Sequence, residues 1–112
     1  MPGLIYLIHF DERYQHAGHY TGWTTDLPSR LRAHATGNGA RLMEVITEAG
    51  RTWQLAKVIE GTRTNERSRK GTGAKRWCPV CRGEPASFPA SVDLASLTEI
   101  LSVTNGLGRV AA

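Results

Sequence analysis

Glycine cuts this chain into short pieces. Gly37-Asn38-Gly39, Gly50, Gly71-Thr72-Gly73 and Asn105-Gly106 each close a stretch that reads as a helix. Glycine tolerates the left-handed backbone that ends a helix and weakens a helix from inside, so these positions read as stops. The segments between them can hold short helices and strands but no long rod. No apolar run approaches the roughly 20 residues of a membrane span, and the N-terminus has neither the basic start nor the apolar length of a secretory signal. A chain of 112 residues amounts to about one domain. Its 40% hydrophobic content, with three Trp, three Tyr and two Phe, can fill a modest core. A soluble, cytoplasmic protein without membrane contact is expected.

Leu4 to Phe10 is apolar and rich in strand formers, and His19 to Trp23 is a second short strand. The two are expected to pair as a hairpin across the polar connection Asp11–Gly18. Thr24-Thr25-Asp26 offers N-cap side chains and Pro28 suits a first helical turn. Leu27, Leu31 and Ala35 then recur with helical period up to Gly37-Asn38-Gly39. Ala40–Ala49 reads as a second helix, and Thr52–Ile59 as a third strand with imperfect alternation. Thr62 or Thr64 can cap a third helix running to about Lys70. The segment 84–91, with two prolines and small residues, reads as a linker. Val92–Val103, with Leu94, Leu97, Ile100 and Leu101, reads as an amphipathic helix, after which the chain is expected to fray. Strands and helices mix without regular alternation. The expectation is α+β: a small mixed three-stranded sheet flanked by helices, with an extra C-terminal helix.

The net charge is +4 and the pI about 9.5. The basic residues crowd into one stretch, Arg63, Arg67, Arg69, Lys70, Lys75, Arg76 and Arg82, and the acid among them up to Arg82 is Glu66. A plain solvated helix face with a Glu66–Lys70 pair at i, i+4 would explain this. So would a metal-binding carboxylate beside a phosphate-binding surface.

Ordered along the chain are Leu4-Ile5-Tyr6, Tyr20-Thr21-Gly22, the run Trp23 to His34 with Arg30 and His34 four residues apart, and Glu66-Arg67-Ser68-Arg69-Lys70. In these residues the chain resembles the GIY-YIG nuclease family from about Leu4 to Lys70. Leu4 stands where glycine is usual in the first signature. Trp23 stands where some members carry lysine, and no downstream asparagine is placed. The resemblance implies a nuclease domain over residues 1–83, ending in the Cys-containing segment, with residues 84–112 a linker and C-terminal helix. It implies a metal-dependent endonuclease in which water attacks a DNA phosphodiester. Arg30, on one helical face with His34, would hold the phosphate and stabilise the transition state. Glu66 would bind one Mg²⁺ or Mn²⁺. Tyr20 would be the general base and Tyr6 would orient water or phosphate. A phenol of ordinary pKa near 10 is a poor base at neutral pH, so His34 is a second candidate for proton transfer. Without the resemblance, both tyrosines would read as core strand residues. Arg32, Arg63, Arg67, Arg69, Lys70, Lys75 and Arg76 would contact the backbone of DNA, with RNA left open.

Cys78-Pro79-Val80-Cys81 has the spacing of half a zinc site, and His16-Ala17-Gly18-His19 could supply the other half. Plain thiols and loop histidines are the alternative. Two other functional readings follow: a nucleic-acid-binding module that does not cut, and a small zinc-stabilised interaction domain. Monomer and homodimer are both open.

Overall fold

The computed structural model describes residues 3–37, 39–104 and 106–111, and of residues 69, 71 and 72 the backbone alone. The chain runs β1 (Gly3–Tyr14), β2 (Ala17–Thr24), α1 (Leu27–Ala35), α2 (Arg41–Glu48), β3 (Trp53–Gly61), α3 (Arg63–Thr72), a 3₁₀ turn (Ala74–Arg76), α4 (Pro79–Arg82), α5 (Leu94–Leu101), a second 3₁₀ turn (Ser102–Thr104) and β4 (Gly108–Val110). The sheet order is β2-β1-β3-β4. β1 pairs antiparallel with β2 and β3, while β4 joins β3 in parallel. The fold is α+β with a mixed sheet, as expected, with one strand more than the sequence suggests.

The central position of β1 explains its composition. Ile5, Tyr6, Leu7 and Ile8 are all fully buried, because helices cover both faces of the sheet. A strand covered twice reads as an unbroken apolar run rather than an alternation. On one face Tyr6, Ile8 and Phe10 meet Leu27 and Leu31 of α1, Met43 and Ile46 of α2, and Leu97, Ile100 and Leu101 of α5. On the other, Ile5, Leu7 and Ala56 meet Trp77 and Cys78. The imperfect alternation of β3 has a cause: the pairing slips between Leu7↔Lys57 and Ile8↔Leu55, a bulge that leaves Ala56 unmatched.

The polar stretch after Phe10 continues β1, so the hairpin is longer and its turn tighter than the composition suggests. Gln15, at φ 56, sits in that turn. Asp26 caps α1 by accepting from Ser29 N at 3.2 Å, and Thr62 caps α3 by accepting from Asn65 N at 3.2 Å. The stops placed at Asn38 and Asn105 fall on residues outside those described.

The tail expected to fray instead ends in β4. Trp53 N donates to Leu107 O at 2.6 Å, and Ala111 N donates to Leu55 O at 3.0 Å. Arg109 also reaches back to Asp11 with two hydrogen bonds, 2.6 and 3.0 Å. That ion pair is partly exposed, 49% for Arg109 and 26% for Asp11, so solvent screens it. Replacing Arg109 by alanine should therefore lower stability in urea unfolding by no more than about 1 kcal/mol. A loss of several kcal/mol would show that the ion pair, not the backbone ladder, holds the C-terminus.

Candidate functional site

β2 is an edge strand, so α1 on one face of the sheet and α3 on the other can both reach its open side. Between them lies a cleft of about 270 Å³ lined by Tyr20, Gly22, Trp23, Arg30, Arg63, Glu66 and Arg67. Three of these are arginines and one is a carboxylate, which suits a phosphate and a cation. A second cleft, about 240 Å³, lies between the starts of α1 and α5. It includes Asp26 and Asp93, both engaged as helix caps, and no basic residue. Charge therefore favours the first cleft as a site for an anion.

The two tyrosines meet through strand register. Tyr6 lies opposite Gly22 and Ile8 opposite Tyr20, so Tyr6 and Tyr20 are diagonal neighbours on one face. Their ring centres are 6.0 Å apart. α1 crosses this face, and its i, i+4 spacing delivers Arg30 and His34 together. His34 Nε2 lies 2.7 Å from the Tyr6 hydroxyl, and Arg30 Nε donates to the same hydroxyl at 3.3 Å. The Tyr20 ring stands 5.4 Å from that of His34, and its hydroxyl interacts with Tyr6 and Arg30. Gly22 makes this convergence possible. A side chain there would overlap the Tyr6 ring and hydroxyl.

Proton positions follow from donor counting. The Arg30 N–H can only donate, so the Tyr6 oxygen accepts it, and the Tyr6 hydrogen is free to go to His34 Nε2. Burial, followed by the charge of Arg30, lowers the His34 pKa to about 4. The ring is neutral at pH 7 and able to accept. Burial and the neighbouring Tyr20 push the Tyr6 phenol well above its usual range, so Tyr6 stays protonated. His34 Nδ1 has no hydrogen-bond partner among the described residues.

This burial has a thermodynamic consequence. Between pH 6.5 and about 4 the unfolded chain binds a proton that folded His34 refuses, so stability falls as pH drops through that window. The shift corresponds to about 3 kcal/mol. Urea unfolding at pH 7 and at pH 4.5 should show a smaller acid loss in His34→Gln than in wild type. Equal losses would place the acid sensitivity elsewhere.

Glu66 is only 9% exposed and pairs with Lys70 at 3.0 Å, the i, i+4 arrangement open from the sequence. It also lines the cleft with Arg30 and Tyr20, so the pair and the cleft position coexist. Arg63 and Arg67 line the cleft as well, and Lys70 lines an adjoining groove with His19, Tyr20 and Thr21. Lys75 and Arg76 are exposed on the 3₁₀ turn, and Arg32 is exposed on α1. The side chain of Arg69 lies outside the described residues. Trp23 braces the cleft. Its indole N–H donates to Gly61 O at 3.0 Å, and Arg63 lies 4.9 Å over its ring.

Cys78 and Cys81 do meet two imidazoles, but one expected partner is corrected. His9, His19, Cys78 and Cys81 offer ligand atoms all within 4.8 Å of one another, a group that could hold a metal ion. His16 is exposed at the hairpin turn and takes no part. The pairing of β1 with β2 sets His9 directly opposite His19. Strand alternation carries the signal for His9, since it shares a face with Ile5 and Leu7. Burial lowers the pKa of His9 and takes that of His19 to about 4, so both rings are neutral. Burial and the neighbouring Cys78 raise the Cys81 thiol.

No protein-family profile, curated protein or solved structure matches this chain. Among the described residues no helix is long and apolar enough to cross a membrane.

Proposed function

We propose that this chain is a magnesium-dependent endonuclease of the GIY-YIG type that hydrolyses DNA phosphodiester bonds. One junction carries the reading: the Tyr6 hydroxyl lies between His34 Nε2 at 2.7 Å and Arg30 Nε at 3.3 Å, beside Tyr20, at a cleft that Glu66 also lines. Arg30 holds the scissile phosphate against the cleft wall and stabilises charge as it grows on the equatorial oxygens. Tyr20, which lines the cleft, takes a proton from the attacking water. Tyr6 passes its own proton to the neutral His34 as it receives the one from Tyr20. Burial and Arg30 disfavour a charged His34, so the ring holds the proton only during the step, returns it through the same tyrosines to the leaving oxygen, and keeps the two phenols aligned.

Glu66 suits a single Mg²⁺ or Mn²⁺. It is a hard oxygen donor held nearly buried among arginines, and no other carboxylate among the described residues lines the cleft, so the ion would keep most of its waters. When bound, it supplies polarisation of the phosphate and stabilisation of the leaving oxygen. Arg32, Arg63, Arg67, Arg69, Lys70, Lys75 and Arg76 contact the nucleic-acid backbone, a binding that weakens steeply with salt. The thiol–imidazole group is of a different kind and takes a structural zinc ion.

The test is cleavage of labelled plasmid, branched DNA and matched RNA with Mg²⁺, Mn²⁺ or EDTA, beside the Arg30→Ala protein. Metal-dependent products on DNA that vanish in the variant are expected. Salt-sensitive binding with no product on any substrate would make this a binding module instead.

A further inference from the structure

None of the four residues of the thiol–imidazole group lines the cleft, although His19 lines the groove beside it. His9 Nδ1 is 3.2 Å from His19 Nε2, 3.5 Å from Cys78 Sγ and 3.7 Å from Cys81 Sγ, while Cys81 Sγ is 3.3 Å from His19 Nε2. Hydrogen bonding cannot account for all of these. An imidazole nitrogen carries either one proton or one lone pair, yet His9 Nδ1 faces three such neighbours at once. A shared ion at the centre accounts for them together. With Zn–S near 2.3 Å and Zn–N near 2.0–2.1 Å, a tetrahedron requires N···N of about 3.4 Å and S···N of about 3.6 Å. The S···N separations of 3.3, 3.5 and 3.7 Å straddle the tetrahedral value, and the N···N separation of 3.2 Å falls about 0.2 Å short of it.

We infer that His9 Nδ1, His19 Nε2, Cys78 Sγ and Cys81 Sγ form a closed tetrahedral zinc site that clasps the segment 74–82 onto the β1–β2 hairpin, and so sets the position of Lys75 and Arg76. The inference rests on reading the group as a metal site and is independent of the nuclease chemistry. Two thiolates and two imidazoles favour zinc over the hard cations that suit Glu66. Four protein ligands leave no open position for water, so the ion is structural. Within the clasped segment Cys78 N donates to Ala74 O at 3.0 Å, Arg82 N to Cys78 O at 3.1 Å and Arg82 Nη1 to Arg76 O at 3.2 Å. The segment comprises a 3₁₀ turn of three residues and a helix of four, too short to persist alone. It must nonetheless cover Ile5, Leu7 and Ala56 with Trp77 and Cys78. Zinc binding linked to folding supplies what such a short cover lacks.

Two separate readings test this on the full chain purified without chelator. The first is zinc content by mass spectrometry, with Co²⁺ exchange to look for thiolate-to-cobalt absorption. One zinc per chain is expected, retained in His16→Ala and Glu66→Ala and lost in His9→Ala and Cys81→Ser. A zinc-free wild type that gives no cobalt–thiolate band would overturn the metal site itself, as would loss of zinc in His16→Ala. The Co²⁺ spectrum needs no variant, so a misfolded Cys81→Ser would not blunt the test. The second is hydrogen exchange with and without a chelator. Removing the ion should speed exchange in residues 74–82 at least about tenfold and lower Tm by about 10 °C or more. Zinc present but with unchanged exchange in that segment would keep the site and remove the clasp.

Discussion

Replacing Glu66 by alanine should lower Mg²⁺-dependent cutting by at least about a thousandfold, a transition-state loss of about 4 kcal/mol, and leave DNA binding as tight or tighter. The asymmetry comes from charge. Glu66 is the acid among the described residues lining a cleft that holds Arg30, Arg63 and Arg67, so removing it lessens repulsion toward phosphate while it removes the proposed metal ligand. Little stability is at stake. The Lys70 partner is 53% exposed, and such pairs contribute less than about 1 kcal/mol. Glu66→Gln keeps the shape and should fail in the same way, because a neutral amide is a poor magnesium ligand. Filter binding at several salt concentrations, run beside plasmid cleavage, reads both quantities. Equal loss of binding and cutting would mean that Glu66 only supports α3.

A single methyl group at Gly22 should be nearly as damaging. In Gly22→Ala the new Cβ overlaps the Tyr6 hydroxyl, and Tyr6 cannot retreat because its ring is fully buried. The hydroxyl must then leave His34 or Arg30, and the proposed proton path breaks. Cutting should drop about a hundredfold, with an overpacking cost of about 1–3 kcal/mol in urea unfolding. Gly18→Ala is the control on the same strand. There the nearest atoms are 3.7 Å away on the Arg13 side chain, an ordinary contact, so neither activity nor stability should change. Full activity in Gly22→Ala would separate the Tyr6–His34 contact from catalysis.

Much of the fold is legible locally. Asp26 and Thr62 act as the caps their side chains suggest, and the period of Leu27 and Leu31 marks the buried face of α1. The terminal strand is not legible. Gly108–Val110 has three residues with no periodicity to read, and it forms because Trp53, Gln54 and Leu55 offer a free edge to it. The bulge at Ala56 is likewise invisible in composition, since it concerns how β3 fits β1.

The candidate site divides along the same line. Arg30 and His34 are neighbours by helical spacing, and the sequence alone determines that one face carries both. It also determines a basic α3 with one acid, and a pair of thiols three residues apart. The tertiary structure decided which imidazoles join those thiols. A spacing of three residues pairs His16 with His19 on paper, but antiparallel register sets His9 across from His19 and leaves His16 at the turn. It also decided that Tyr6 and His34 lie buried behind a cleft that Tyr20, Arg30 and Glu66 line. Spacing fixes neighbours only within one helix or strand. Contacts between strands depend on register, and contacts across the edge of a sheet depend on which strand is left outermost.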